Sequence, residues 1–375
     1  MTDIPTRVTA DGMVQLGINI FCRAGATHQE AEAISTNLVN SNLSGHDSHG
    51  IVRIPRYLMW EKSGNLRFGQ SASVLIDSDN FALIDGNKGF GQVVGQQAVD
   101  IGIKKAKQAG ICILTLRQAG HLGRIGFWAE RACAAGLVSI HFVNVAQSML
   151  TAPFGSADRR VSTAPVTIGI GNPHGDDFIL DFSTSKIAEG KVMVALRGGK
   201  AVPDGALIDG DGKATTDPTA LYGELKPGDV ADPRNGPGAL LTFGEHKGSG
   251  LALACELLAG ALTGSGTTGP GKATHNGMFS VFLKPELMDD TDAFGHAVND
   301  YIDYVRAARP RDPDHPVMIP GDPERNARAD REAHGFDVPA GVWKSILTAG
   351  EGLGLNPNDM MKTATNQTIN DGGIP

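Results

Sequence analysis

The 375-residue sequence predicts a mixed α/β protein of the α+β type, because its helical and strand patterns occupy different parts of the chain. The first seventy residues show helical spacing of apolar side chains. From Ser73 the pattern changes to short apolar runs typical of strands, and helix and strand then alternate through Val143. The glycines lie in short clusters between these runs, where turns need them.

The N-terminal helix is predicted from a start signal and from its spacing. Thr27 followed by Glu30 forms a capping box, and Ile34 and Leu38 continue at helical spacing. The polar stretch Ser41–Gly50 is predicted to end this helix as a loop.

The middle of the chain is predicted to begin with a hairpin. The segment 73–86, SVLIDSDNFALIDG, contains two short apolar runs. A glycine-rich turn, an amphipathic helix near Val93–Ala109 and a strand over Ile111–Leu116 are predicted to follow.

Later segments carry weaker patterns. Ala201–Pro237 is rich in Gly, Pro and Asp and predicts a long surface excursion. Leu251–Leu262 reads as a buried helix that is too short to span a bilayer. Val342–Leu347 predicts a short helix, and the polar tail after Pro357 is expected to fray.

Composition excludes several classes of function. The net charge is -8 and no Lys/Arg-dense stripe is present, so nucleic acid is not an expected partner. Neither an export signal nor a membrane span is visible. The four cysteines are scattered without a C-x-x-C pair, which indicates a reducing, cytoplasmic location and argues against a disulfide framework or a thiolate metal site.

One glycine motif is present but misplaced. Residues 264–269, GSGTTG, satisfy the G-x-G-x-x-G pattern. They follow an apolar helix instead of a strand and run into Pro270, so we reject them as a dinucleotide fingerprint. The sequence also lacks the phosphate-loop, H-E-x-x-H and G-x-S-x-G patterns.

The sharpest candidate site is the polar turn at 45–57, GHDSHGIVRIPRY. His49 could exchange a proton near neutral pH, Ser48 could orient its ring, and Arg53 could hold a carboxylate in two parallel hydrogen bonds. The structural alternative is that Asp47 and Ser48 cap a helix and that His49 is an ordinary loop histidine. A metal site at His46 and His49 is not expected, because no third ligand stands at a recognised spacing.

Three further segments could bind an anion or a ribose. Residues 118–126, QAGHLGRIG, follow a strand and open a helix, so backbone N–H groups and Arg124 could bind a pyrophosphate, although a plain tight turn is equally consistent. Residues 243–250 form a second glycine-rich helix entry in which Lys247 could reach a phosphate. Asp181, at the end of a predicted strand, could accept from a ribose hydroxyl or serve as a cap.

Taken in order, six stretches of the chain resemble the type 2 malate/L-lactate dehydrogenase family, which includes sulfolactate, ureidoglycolate and diketogulonate dehydrogenases and piperideine-carboxylate reductases. The stretches are DSHGIVRIPRY at 47–57, GHLGRIGFWAE at 120–130, STAPVTIGI at 162–170, ILDFSTSKIAEGK at 179–191, FGEHKGSGLALACELLAGALTG at 243–264 and IPGDPE at 319–324. Six ordered matches are far more specific than any one of them alone.

The resemblance implies a non-Rossmann nucleotide-binding fold with a largely antiparallel sheet and a helical domain built from N- and C-terminal segments. It divides the chain into a helical segment with the catalytic turn (1–72), an NAD(P)-binding and substrate core (73–305), and a C-terminal segment that packs back on the N-terminal part (306–375). It also implies a homodimer with the active site between domains.

The resemblance further implies roles for individual residues. His49 would be the proton donor or acceptor assisted by Ser48, with Arg53 on the substrate carboxylate and Thr163 close to the substrate. His121 is a competing candidate, because some members assign the base to that histidine. The residues implied to bind the cofactor, NAD or NADP, are His121, Leu122, Gly123, Arg124, Ile125, Asp181, Phe182, Ser183, Lys247, Pro320, Gly321, Asp322 and Glu324.

The function implied is hydride transfer between nicotinamide and C2 of a small 2-oxo or 2-hydroxy acid of the malate, lactate or sulfolactate type. One alternative is an NADPH-dependent reductase of cyclic imino acids (piperideine- or pyrroline-2-carboxylate). Those enzymes carry an Asp where this chain has Lys191, which weakens that option. A catalytically silent ligand-binding dimer is the alternative from another class, and the presence of both His49 and Arg53 argues against it.

Overall fold

The computed structural model describes residues 5–197, 199–224, 232–271, 275–289, 291 and 293–366. Over these residues the helices are Ala10–Arg23 (α1), His28–Leu43 (α2), Ile54–Lys62 (α3), Gly91–Ala109 (α4), Gly126–Cys133 (α5), Glu189–Arg197 (α6), Thr219–Tyr222 (α7), His246–Cys255 (α8), Ala293–Arg306 (α9), Asp322–His334 (α10), Ala340–Glu351 (α11) and Pro357–Thr365 (α12). The strands are Thr6–Val8 (β1), Ser73–Ser78 (β2), Phe81–Asp85 (β3), Ile111–Ala119 (β4), Val138–Val145 (β5), Pro165–Ile170 (β6), Phe178–Ser183 (β7), Leu207–Ile208 (β8), Ala214–Thr215 (β9), Ala239–Leu240 (β10), Asn276–Leu283 (β11) and Phe336–Val338 (β12).

The central sheet has seven strands in the order β2-β3-β4-β11-β5-β6-β7. Only the β3–β4 pair is parallel, and the other five pairs of the sheet are antiparallel. A Rossmann sheet is mostly parallel, so the expected non-Rossmann, largely antiparallel α+β fold is confirmed. Helices α4 and α5 cover one face, where Val99 and Trp128 pack with Leu114 and Phe282 in one core.

The helical domain joins both ends of the chain, as expected. Strand β1 pairs with β12, and α1 and α2 share a core with α11 and α12 that includes Phe21, Ile34, Trp343 and Met360. The expectation of a frayed tail is therefore wrong for residues 357–365. These residues form a helix although most of them are polar, and the helix buries two apolar side chains, Met360 and Ala364.

The start signal of α2 is confirmed. The Thr27 side chain accepts from the Glu30 backbone N–H at 3.2 Å, and the Glu30 carboxylate accepts from the Thr27 N–H at 3.2 Å. The helix ends at Leu43, and the polar stretch that follows forms two 3-10 turns, Asp47–His49 and Ile51–Arg53.

The predicted surface excursion at 201–237 is largely ordered structure, which corrects that prediction. Strands β8, β9 and β10 form a small sheet, and Leu207, Leu221 and Tyr222 are buried in a core of their own. Pairs of apolar residues such as Leu207–Ile208 are too short to show periodicity, so composition alone was misleading. Residues 225–231 of this segment lie outside the described residues.

The segment 251–262 is helical but only half buried. Helix α8 continues as a π-helical turn, Glu256–Leu262, and its buried side includes Ala252, Cys255 and Ala259. On the other side, the solvent-exposed fractions of Leu253, Leu257 and Leu262 are 47%, 62% and 62%. The prediction of a wholly buried helix is wrong for that side. Within the described residues, no helix is long and apolar enough to cross a membrane.

Candidate active site

A cleft of about 1280 Å³ lies between the helical domain and the central sheet. It brings together residues that are far apart in sequence. The predicted site residues that line it are Ser48, His49, Arg53, His121, Gly123, Arg124, Ile125, Thr163, Asp181, Phe182 and Ser183.

The polar turn at one wall is shaped by Asn42 of α2. Its side-chain oxygen accepts from the Ile51 N–H at 2.9 Å, and its amide donates to Asp47 at 2.7 Å. A Cβ at Gly50 would lie 2.1 Å from the Asn42 oxygen, so only glycine allows this approach. Neither 3-10 turn has a side-chain cap, and α3 begins only at Ile54, so the alternative that Asp47 and Ser48 cap a helix near Gly50 is wrong.

Side chains of helix α10 form hydrogen bonds with this turn and with Ser44, the residue before it. The Glu324 carboxylate lies 3.0 Å from Nε2 of His46, Arg328 donates to Ser44 at 2.9 Å, and Arg331 donates to Asp47 at 2.6 Å. These three side chains recur every three or four residues and therefore share one face of α10. Sequence reasoning assigned Glu324 to the cofactor and missed this contact with the turn.

Two histidines face each other in the cleft. The rings of His49 and His121 stack with centroids 5.6 Å apart and planes 15° apart. Ser48 Oγ lies 3.1 Å from Nδ1 of His49. Burial, reinforced by the positive charge of Arg53, lowers the pKa of His49 to about 3 and the pKa of His121 well below its usual value. Both imidazoles are therefore neutral at pH 7.

Hydrogen bonds from α3 and α4 define the tautomer of His121. Gln92 Nε2 donates to Tyr57 Oη at 2.8 Å and to the His121 carbonyl oxygen at 3.2 Å, and a carbonyl can only accept. Nδ1 of His121, 2.7 Å from Tyr57 Oη, is the acceptor that the described residues offer to the buried Tyr57 hydroxyl, which therefore donates its proton there. The neutral ring therefore carries its hydrogen on Nε2. Burial raises the pKa of Tyr57 to about 12, so the phenol is protonated in the resting site at neutral pH.

Tyr57 and Gln92 were not assigned roles from sequence. Tyr57 ends the polar motif and was visible only as part of that motif. Gln92 lies in an amphipathic helix with nothing local to distinguish it from any other helical glutamine. Their contact with His121 depends on tertiary packing.

Arg53 stands at the same end of the cleft. Its Nε donates to the Ser48 carbonyl at 2.6 Å, and its terminal nitrogens bond to no described residue. A guanidinium fixed through Nε presents its other donors as a fork suited to a carboxylate.

The β4–α5 turn forms another part of the cleft. Arg124 is only 2% exposed, and its Nη2 donates to Glu130 at 2.7 Å and to Asn40 at 3.3 Å. Its Nε and Nη1 have no hydrogen-bond partner among the described residues. Because a buried donor is costly when unpaired, these atoms fit an anionic group of a bound ligand.

Asp181 caps the same turn. Its Oδ2 accepts from the Gly126 N–H at 2.7 Å and its Oδ1 accepts from Thr167 at 2.6 Å. Each oxygen already has a protein partner, which supports the strand-end cap that was weighed as the alternative to ribose binding.

Several residues predicted to bind the cofactor lie outside the cleft lining. Leu122 is buried beneath it, and Lys247 is exposed at the start of α8. Asp322 pairs with Arg306 and Arg325, both at 2.5 Å. The Pro320 carbonyl accepts from the Ile179 N–H, and Gly321 precedes α10, so the 319–324 stretch abuts strand β7.

Over the described parts of the chain, no group of three or more His, Cys, Asp or Glu side chains could hold a metal ion.

The chain is similar to a well-defined group of proteins. The family model for malate/L-lactate dehydrogenase matches residues 8–347. Hydroxycarboxylate dehydrogenase B of Escherichia coli K12 is 38% identical over 350 residues, covering 90% of this chain and 91% of the relative. The sulfolactate dehydrogenase structure from Methanocaldococcus jannaschii superposes with a TM-score of 0.82 at 30% identity, covering 94% of this chain and 99% of that one.

A third similar structure is Δ1-piperideine-2-carboxylate reductase from Pseudomonas syringae, with a TM-score of 0.78 and 27% identity, covering 92% of this chain and 99% of that one. The match of the family model and the cleft geometry agree with the ordered motifs of the sequence. The chain belongs to the malate/L-lactate dehydrogenase family, and its activity is that of a 2-hydroxy acid dehydrogenase, an oxidoreductase acting on CH–OH donors.

Proposed function

We propose that this dehydrogenase uses NAD or NADP and the cleft residues to interconvert a small 2-oxo acid and its 2-hydroxy acid. The observation that carries the proposal is the position of Arg53 beside the stacked pair His49 and His121 in one cleft. Reduction of a 2-oxo acid requires a group that binds its carboxylate, here the guanidinium of Arg53, and a proton carrier beside it.

Substrate binding rests on Arg53. Its unbonded terminal nitrogens hold the C1 carboxylate, and its Nε bond to Ser48 fixes the direction of the fork. Thr163 lines the same cleft and contacts the substrate. His49, which Ser48 orients and which stacks on His121, gives the C2 oxygen a second hydrogen bond.

Proton transfer runs through His121. During reduction, Nε2–H gives its proton to the oxygen on C2, while Tyr57 gives its own proton to Nδ1, so the imidazole stays neutral. Solvent then protonates Nε2 of His121 while Nδ1 returns its proton to the buried Tyr57 phenolate, which restores the starting state. The reverse steps remove the hydroxyl proton during oxidation. This assigns the proton carrier to His121 and a supporting role to His49.

The residues present fit a nicotinamide dinucleotide. The unpaired Nη1 of Arg124 and the glycine-rich turn at Gly123 would hold its phosphates, and Phe182 and Ser183 line the adjacent wall. When bound, the cofactor accepts or supplies the hydride at C2 of the substrate. The predicted roles of Leu122, Lys247 and the 320–324 stretch remain part of this proposal.

The assembly and location are proposed on separate grounds. Three exposed leucines, Leu253 of α8 and Leu257 and Leu262 of the π-helical turn that continues it, favour a homodimer, because a row of exposed apolar side chains is typical of an interface. A cytoplasmic location is favoured by the free, buried thiols of Cys112, Cys133 and Cys255.

The test is a spectrophotometric assay of NADH and of NADPH with pyruvate, oxaloacetate, sulfopyruvate, 2-oxoglutarate and piperideine-2-carboxylate. We expect consumption of at least one cofactor with a 2-oxo acid and loss of that activity in His121→Asn. Activity restricted to piperideine-2-carboxylate would instead indicate an imine reductase. Binding of a cofactor without turnover of any substrate would indicate a silent dimer.

A further inference from the structure

Helix α3 and Arg53, the residue that precedes it, present one face to the cleft. Arg53, Arg56 and Trp60 all line it, and Tyr57 of the same face contacts His121. Arg53 and Arg56 stand three residues apart, a spacing that places their side chains about 5–6 Å apart at Cβ. A second guanidinium therefore lies one turn along from the proposed carboxylate fork.

Most of the other cleft cations are already engaged. Lys186 donates to the Asp204 carbonyl at 2.7 Å, and Arg234 forms a two-point ion pair with Asp232 at 2.6 and 2.8 Å. Arg56 makes no hydrogen bond or ion pair with any described residue. Lys191 is the other cation of the cleft lining whose side chain forms no hydrogen bond or ion pair with a described residue.

The charge of Arg56 acts on the proposed carboxylate site and on His121. The charge of Arg56 contributes to lowering the pKa of both Arg53 and His121, whereas Lys191 contributes to neither. Two like charges one helical turn apart repel each other, and a ligand with two negative groups would relieve that repulsion. The charge of Arg56 helps to lower the pKa of Asp232, but Asp232 is already paired with Arg234, so a monocarboxylate would leave Arg56 without an ion-pair partner among the described residues.

We propose that Arg56 binds a second anionic group of the substrate, a carboxylate or sulfonate on the carbon chain beyond C2, so that the enzyme prefers short dianionic 2-oxo acids. This inference rests on the proposed function, because Arg53 is taken to hold the C1 carboxylate. The two guanidinium groups then bind the two ends of the substrate and leave C2 opposite His121. Arg56 is the specificity-determining residue of that arrangement.

The test compares kcat/KM for oxaloacetate and sulfopyruvate with kcat/KM for pyruvate and 2-oxobutyrate, the last being an uncharged extension of the chain. The wild-type enzyme is expected to favour the dianions. Arg56→Met is expected to lower the dianion-to-monoanion ratio by roughly 10- to 100-fold, as the loss of one charge-assisted hydrogen-bonding group would. Arg56→Lys keeps the positive charge but loses the planar guanidinium, so its dianion-to-monoanion ratio should lie between those of the wild type and Arg56→Met.

Lys191→Met is the matched control, because it removes the other unbonded cation of the cleft and should leave the ratio unchanged. The Kd of NADPH and of NADH, measured by fluorescence titration, separates substrate from cofactor recognition. A wild-type enzyme without preference for dianions, a ratio that changes with Lys191 instead of Arg56, or an Arg56→Met effect confined to the Kd of NADPH would each overturn the inference while leaving the proposed function intact. Failure of every 2-oxo acid would instead overturn the proposed function.

Discussion

Tyr57 Oη lies 2.7 Å from Nδ1 of His121, although the two residues are 64 positions apart in the chain. Gln92 occupies the other side of the phenol oxygen by donating to it at 2.8 Å. These two hydrogen bonds place the hydrogen of the His121 ring on Nε2. They also let Tyr57 supply a proton to Nδ1 when Nε2 gives its own proton away. Both effects favour His121 over His49 as the proton carrier.

Tyr57→Phe should therefore slow the chemistry without unfolding the site. The ring would keep its edge contact with Phe90 at 5.9 Å but lose the hydroxyl. We expect kcat for 2-oxo acid reduction to fall by about 100-fold, in the range typical of a lost acid–base contribution, with little change in the Kd of the cofactor. Stopped-flow measurement of cofactor oxidation would check this. Tyr301→Phe, on the exposed face of α9, is the control and should behave as wild type. An unchanged kcat in Tyr57→Phe would exclude the relay.

Helix α10 should influence catalysis through the polar turn. Arg331→Met removes the pair with Asp47 and should reduce kcat/KM by roughly fivefold to tenfold, while stability changes by less than about 1 kcal/mol because the Asp47 partner is exposed. Arg331→Lys should recover part of the activity. Enzyme assays beside urea unfolding would separate the two effects. His334→Gln, in the last turn of α10, should change neither quantity, and equal losses in both variants would rule out a specific role for Arg331.

Arg124 should contribute to cofactor binding. Arg124→Met is expected to raise the Kd of NADH or NADPH by roughly 10- to 100-fold, the effect of removing a charge-assisted hydrogen bond. Fluorescence titration measures this without turnover. Arg131→Met, on helix α5 directly after this turn, is the matched control, because Arg131 pairs with Asp100 outside the cleft lining. Equal Kd values for wild type and Arg124→Met would remove Arg124 from the proposed phosphate site.

A buried histidine away from the cleft should make stability depend on pH. His141 lies between Ser280 Oγ at 2.8 Å and Ser139 Oγ at 3.0 Å, and burial lowers its pKa to about 3. The unfolded chain binds a proton near pH 6.5, whereas the folded chain does not until about pH 3. The stability contributed by neutral His141 is therefore present above pH 6.5 and lost as pH falls toward 3, by about 1.4 kcal/mol per pH unit.

His141→Gln removes this titration and keeps a polar side chain between the serines. Urea unfolding of both proteins at pH 8, 6.5, 5.5 and 5 would show the difference. We expect the gap between variant and wild type to be constant above pH 6.5 and to move in favour of the variant below it. Parallel curves down to pH 5 would show that His141 is not neutral in the folded protein.

Local signals in the sequence predicted the start of α2, the polar turn and the strand–turn–helix at Gly123. Each of these depends on short-range chemistry: the capping box of Thr27 and Glu30, or glycine where the backbone needs a positive φ. The failed fingerprint at 264–269 excluded a Rossmann turn because its neighbours are a helix and a proline. The ordered motifs then led to the family.

Tertiary contacts account for what the sequence did not predict. The partnership of Tyr57, Gln92 and His121 requires α3, α4 and the end of β4 to meet, and no local pattern encodes that meeting. The tail at 357–365 looked polar, yet two apolar positions were enough to dock it on α1. That Arg56 has no hydrogen bond or ion pair among the described residues is likewise visible only in the folded structure.

The central claim, hydride transfer between nicotinamide and C2 beside His121, is tested most directly by isotope transfer. The purified enzyme would be given NADH or NADPH carrying deuterium at both positions of C4, together with oxaloacetate, and the product would be analysed by mass spectrometry and proton NMR. We predict one deuterium at C2 of the hydroxy acid in wild type and no labelled product above background in His121→Asn. Product that carries no deuterium at C2, or full labelling in His121→Asn, would contradict the account.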